Sequence, residues 1–308
     1  MVSLTRILCP VDLSEFSQRA LQYAVALGRW YGAEVTALHV RPRSPRPLVW
    51  GEDAIVPSLE TILEGPDADA AVQRFVADTV GNVPAVFVAF RDGPVVSEVV
   101  RYAADSPTDL IVMGTHGSGG FERLVLGSVT EKVLRKAPCP VLTVPRAAID
   151  GPHVTFKTIV CGVDFSNASI HALDYALSLA QEAEGRLVLA HAIENLDLLQ
   201  EPSMYARFDV AEYMRVVEAG ALERLAALIP DTARAWCQPE LAIGHGKAYR
   251  ELVRIARERH AELIVLGTHG RGALDAAIFG STTGHVVRHA PCPVLTVRAQ
   301  RKVASAVA

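Results

Sequence analysis

The chain has 308 residues, half of them apolar and 21% charged, which excludes a mostly disordered protein and predicts one or two soluble globular domains. Thirty Lys and Arg stand against 34 Asp and Glu, a formal charge of −4 with no block of one sign, so no nucleic acid partner is expected. No apolar run approaches the ~18 residues of a membrane span, and the opening MVSLTRILCPVD reads as a strand and not a cleavable leader, so the expectation is no membrane and a cytoplasmic location.

Short runs rich in Val, Ile and Leu alternate with amphipathic segments, the pattern of βαβ units on a parallel sheet. In chain order the first half predicts strands near 5–11, 34–40, 84–90, 109–114 and 140–144. Helices are expected at 14–31, with Ser14 as cap and Gly32 as stop, then at 94–104 and 128–136. The stretch from Arg41 to Asp69 opens with RPRSPRP, shows little periodicity and reads as a surface insertion or lid. The second half predicts strands near 158–164, 186–192, 233–243, 262–267 and 293–297.

These halves are copies of one another. LIVMGTHG at Leu110 to Gly117 returns as LIVLGTHG at Leu263 to Gly270, and APCPVLTV at Ala137 to Val144 returns unchanged at Ala290 to Val297, both displaced by 153 residues. RILCPVDLSEFS at Arg6 to Ser17 answers TIVCGVDFSNAS at Thr158 to Ser169, displaced by 152. A tandem duplication follows, with domains at 1–146 and 156–299. The five cysteines are widely separated, with no CxxC pair and no His at zinc spacing; reduced, buried thiols and no metal site are expected.

After the fourth strand, Gly114 and Gly117 are followed by Gly127 and Ser128 at a helix start, and Gly267, Gly270, Gly280 and Ser281 repeat the spacing. Glycines admit an anion close to backbone N–H groups, and a helix start supplies unpaired donors, so a phosphate chain fits. Otherwise these glycines only make turns, with Ser128 and Glu131 as a capping box. No GxxxxGK[ST] loop is present and no Lys lies within the glycine loop; Arg123 and Arg271 are the nearby cations. Asp12 and Asp164, each two residues before a Ser, are placed to accept from an adenine amino group or ribose, or to cap the next helix. His116 and His269 sit inside the glycine turns without a partner set for nucleophilic catalysis, and no catalytic residue is assigned. His39 and His191 read as hydrogen-bonded or packing residues.

With both halves laid out, the chain resembles the universal stress protein family in its tandem form. The resemblance rests on VDLSEFS at Val11 to Ser17, VDFSNAS at Val163 to Ser169, the signature G-x2-G-x9-G-[ST] in both copies, and GSVTEKVLRKAPCPVLTV from Gly127 to Val144. It implies an α/β fold of two tandem Rossmann-like domains, each an open five-stranded parallel sheet in the order 3-2-1-4-5 with helices on both faces. It also implies ATP, or ADP or AMP, with Mg²⁺, at the carboxyl ends of the strands. By motif position, Asp12 and the backbone of Val40 would hold adenine and ribose; Gly114, Gly117, Gly127, Ser128 and Val129 would surround ribose and phosphates. The matching set is Asp164, Ala192, Gly267, Gly270, Gly280, Ser281 and Thr282, where Gly284 replaces Glu131 and Ala276 replaces Arg123, losing a cap and a cation.

The function implied is a cytosolic ATP-binding stress-response protein whose occupancy tunes conformation or partner binding. The alternatives are a slow ATPase or nucleotidyl-transfer enzyme, against which the absence of an SGGxDS loop counts, and a scaffold that binds no nucleotide. In the implied strand order each fifth strand is an apolar edge, so Val141 to Val144 and Val294 to Val297 should pair antiparallel, with Cys139 and Cys292 at opposite ends and no disulfide between them. The family's single-domain members dimerise through this strand, which implies an intramolecular pseudo-dimer and leaves a further homodimer open.

Overall fold

The computed structural model describes residues 2–42, 66–81, 86–117, 126–146, 148, 154–194, 209–234, 237, 239–268 and 280–299. In the first copy β1 (Arg6–Pro10), β2 (Glu34–Arg41), β3 (Val86–Asp92), β4 (Leu110–Gly114) and β5 (Val141–Val144) alternate with α1 (Glu15–Tyr31), α2 (Pro66–Val80), α3 (Val95–Asp105) and α4 (Ser128–Lys136). The second copy has β6 (Thr158–Gly162), α5 (Asn167–Glu182), β7 (Arg186–Ile193), α6 (Val210–Ala227) and α7 (Asp231–Arg234). These are followed by β8 (Glu240–His245), α8 (Ala248–Glu258), β9 (Leu263–Gly267), α9 (Ser281–His289) and β10 (Val294–Val297).

The strands form one ten-stranded sheet, ordered β3-β2-β1-β4-β5-β10-β9-β6-β7-β8. Each half is parallel in the order 3-2-1-4-5, and the halves meet where β10 pairs antiparallel with β5, Leu295 opposite Leu142. Thr143 Oγ1 and Thr296 Oγ1 cross this seam to the carbonyls of Val294 and Val141, at 3.2 and 3.1 Å. Covering an apolar edge strand removes its unpaired backbone from solvent, which is why VLTV, with no polar outer face, occurs in both copies. Cys139 and Cys292 flank opposite ends of the seam and all five cysteines are free and buried.

Two core layers sandwich the sheet. One joins both copies: Phe156, ahead of β6, is buried against Tyr23 and Trp30 of α1, with ring centroids 6.2 and 5.5 Å away. The other lies under α3, α4, α8 and α9. Helix α1 follows the expected signals, with Ser14 Oγ accepting from Ser17 N at 3.2 Å and Gly32 left-handed at φ 63°.

Two local expectations fail. The strand expected over 233–243 begins only at Glu240; Asp231–Arg234 is a helical turn, and Cys237 N donates to Ala233 O at 2.9 Å. Ala233 and Cys237, four residues apart, share a face on a helical turn as they would on a strand, and both join the core. The Ser128–Glu131 capping box is absent, because Gly127 is the cap residue of α4 and the Ser–Glu pair is one register too late. Residues 43–65, most of the expected insertion, lie outside the described residues.

Candidate functional site

The crevice is built at the carboxyl end of β1. Asp12 Oδ1 accepts from Ser14 N at 3.1 Å and from Ser14 Oγ, while Ser14 Oγ caps α1. Of the two roles open to Asp12, it therefore does not cap the helix itself; it fixes the residue that does. Between them Leu13 is held left-handed at φ 64°, a conformation that costs an L-residue about 1–2 kcal/mol. The second copy repeats the turn with Asp164 Oδ1 accepting from Ser166 N at 3.0 Å, Ser166 capping α5 and Phe165 at φ 62°.

Strand β2 continues past the end of β1. Leu38 O accepts from Val11 N at 2.9 Å, and with a two-residue period the N–H and C=O of Val40 point to that same side, where β1 has ended. Arg41 O faces the other way and accepts from Gly93 N at 3.0 Å. Ala192 stands likewise one step beyond Ala190, whose carbonyl accepts from Val163 N at 2.8 Å. His39 Nδ1–H donates to Val11 O at 2.9 Å and His191 Nδ1–H to Val163 O at 2.6 Å, so both are hydrogen-bonded strand-end residues as expected.

The glycines divide by role. A Cβ on Gly114 would sit 2.8 Å from Phe16 Cβ and 3.0 Å from Phe16 O; on Gly267 it would lie 2.7 Å from the backbone of Ala168 and Ser169. Both let α1 or α5 lie close on the sheet, a packing role. Gly127 and Gly280 donate their N–H to Thr115 O and Thr268 O, each at 2.9 Å, so these two amides are spent within the loop. Gly117 stands against the first-strand turn instead: a Cβ there would meet Asp12 Oδ2 at 2.5 Å.

The donors at this end come instead from α4. Its first intrahelical bond is Glu131 N to Gly127 O, and no side chain caps its start, so the N–H groups of Ser128, Val129 and Thr130 are the first-turn donors that a helix leaves without intrahelical partners. Thr130, 3% exposed, fixes their position by donating Oγ1–H to Gly114 O at 2.9 Å; Thr283 does the same to Gly267 O, also at 2.9 Å. Sequence reasoning passed over these threonines, although G-S-x-T recurs as GSVT and GSTT.

Asp12, Val40, Gly114, Gly117, Gly127, Ser128 and Val129 all line one crevice of about 600 Å³, whose apolar wall is Pro10, Leu38, Val95, Val99, Met113 and Leu126. His116 also lines it, its Nδ1 3.0 Å from Thr115 Oγ1 and its ring 5.2 Å from Phe16; its buried Nε2 has no hydrogen-bond partner among the described residues. In the second copy Asp164, Ala192, Gly267, Gly280, Ser281 and Thr282 occupy matching places. Gly270, His269, Arg271 and Ala276 lie outside the described residues, as does Arg123. Among the described residues no three His, Cys, Asp or Glu side chains gather as a metal site, and no helix is long and apolar enough to cross a membrane.

A doubly repeated Rossmann-like α/β unit, with a crevice at the carboxyl ends of its strands, defines the class. The sequence profile of the universal stress protein family matches residues 3–145 and again 155–298, and the chain belongs to that family. A universal stress protein of Mycobacterium tuberculosis is 32% identical over 225 residues, 68% of this chain and 71% of its own. One of Mycolicibacterium smegmatis is 26% identical over 308 residues, covering 95% of this chain and 96% of its own. The crystal structure of a universal stress protein from Archaeoglobus fulgidus shares the fold, with a TM-score of 0.65 at 24% identity over 96% of this chain and 97% of its own.

Proposed function

We propose that the first-copy crevice binds an adenine nucleotide, ATP in its full form, and that occupancy changes the conformation or partner binding of a cytoplasmic stress-response protein. The observation that carries this reading is the convergence of Val40's outward backbone pair, the Asp12 turn and the first-turn donors of α4 on one crevice of about 600 Å³, a volume within the range of small-molecule sites. Adenine offers a donor beside an acceptor on one edge, which one strand residue's C=O and N–H can match. Guanine presents the reverse polarity to the same pair. Asp12 would accept from the ribose, and Ser128, Val129 and Thr130 would donate to phosphate oxygens.

Magnesium would arrive on the phosphates, since divalent magnesium is commonly held by one or two carboxylates, water and phosphate oxygens, and Asp12 is the one carboxylate among the described residues that line the crevice. Among the described residues no lysine lines this crevice. Phosphoryl transfer relies on cationic stabilisation of the moving charge, so steady hydrolysis should fall far below the ~10 per second typical of enzymes.

The test is mass analysis of nucleotide released from freshly purified, heat-denatured protein, with titration of the stripped protein by ATP and GTP. Retained adenine nucleotide, or ATP bound at least tenfold more tightly than GTP, supports the reading. Equal affinity for the two, or binding of neither, removes it, and the latter leaves the scaffold alternative.

A further inference from the structure

The contacts across the seam are unequal. Antiparallel pairing of β5 with β10 lays α4 and α9 side by side in opposite directions, so the start of each faces the end of the other. Arg288, in the last turn of α9, lies 3.9 Å from Glu131 in the first half of α4. Arg298, just past β10, donates from Nη2 to the carbonyls of Leu134, at 3.4 Å, and Arg135, two of the four that the end of α4 leaves without helical partners. His171 of α5 holds Arg298 in turn, donating Nδ1–H to its carbonyl at 2.7 Å.

The positions matched by the 153-residue displacement carry other residues. The residue matched to Arg298 is Pro145, which has no side-chain donor, and the residue matched to Glu131 is Gly284, which has no carboxylate. Arg135, matched to Arg288, pairs at 2.9 Å with Glu131 of its own helix.

We infer that the second copy completes the first copy's anion site: Arg288 and Arg298 clasp α4 and set its donor-bearing start against the ligand's phosphates. Both are positioning residues. A cation at a helix C-terminus offsets the negative end of the macrodipole, and two anchors along nine residues fix the direction in which the first N–H groups point. The inference rests on the proposed nucleotide reading, and it makes the second copy an accessory to the first site.

The test compares wild type, Arg288→Ala with Arg298→Ala combined, and Arg298→Lys, using amide exchange resolved over α4 and α9 without ligand and during ATP and adenosine titrations. Without ligand, the double variant should exchange faster at the end of α4 while α9 is unchanged; equal rates would overturn the clasp whatever binds. With ligand, ATP affinity at the α4 site should fall about tenfold while adenosine, which has no phosphate, stays within about twofold, and Arg298→Lys should keep most of the ATP affinity. Wild type binding ATP with the double variant within twofold of it overturns the clasp and leaves the nucleotide reading standing. Wild type that fails to protect α4 with ATP overturns both.

Discussion

A single hydrogen on Gly117 separates its backbone from the carboxylate of Asp12: the Cβ of any other residue would stand 2.5 Å from Asp12 Oδ2. The contact ties the glycine turn to the first-strand turn across the crevice floor. Gly117→Val should lower ATP affinity of the first site at least tenfold, about 1.4 kcal/mol, while leaving the melting temperature nearly unchanged. Calorimetric titration beside thermal unfolding checks both halves of the claim.

Gly114→Ala should behave in the opposite way. Its Cβ would press on Phe16 Cβ and O, so the cost falls on the packing of α1 against the sheet, about 1–3 kcal/mol of stability. Denaturant unfolding would show it as a lower midpoint at constant slope, and an unshifted midpoint would contradict the packing role.

How far the site was legible divides along the same line. Two copies of one glycine spacing announce a recurring loop, but spacing cannot say which glycine stands against Asp12 and which against Phe16 or Ala168. That depends on how closely α1 and α5 approach the sheet. The capping box failed for a related reason: Ser128 and Glu131 have the right types, yet the chain turns into the helix at Gly127, one residue early. The parallel units and the β5–β10 seam were readable because VLTV has no polar face to give to water. The strand expected over 233–243 starts only at Glu240 because Ala233 and Cys237, four residues apart, suit one face of a helical turn as well as one face of a strand.

Acid should loosen the start of β1. Burial raises the Asp109 carboxyl, but hydrogen bonds from Thr5 Oγ1 and N, at 2.7 Å, and from Arg6 N, at 2.9 Å, outweigh it and leave the group below its ordinary 3.8. A carboxylate lowered by folding stabilises the fold above its unfolded value, and that contribution is lost as the pH falls through the folded one. Asp109→Asn should therefore melt earlier than wild type at pH 7, with the gap closing below pH 3.8. A gap that is constant with pH would refute the assignment.

The thiols should be silent in the folded protein. Burial pushes Cys139, Cys161 and Cys292 up to about 12, so little thiolate exists at pH 8, where alkylation of the native chain should be slow and should accelerate only on unfolding. Mass spectrometry after a timed pulse of iodoacetamide measures this, and rapid native labelling of any of the three would contradict the burial.

Reversal of strand direction at the seam has a geometric consequence for partners. The carboxyl ends of β1 to β5 and those of β6 to β10 open toward opposite rims of a single sheet. No one small ligand can touch both turns, at Asp12 and at Asp164. A macromolecule that reads the loops on one rim is blind to those on the other. Duplication in this chain therefore does not double one surface; it produces a plate with two addresses, back to back, joined through a shared spine.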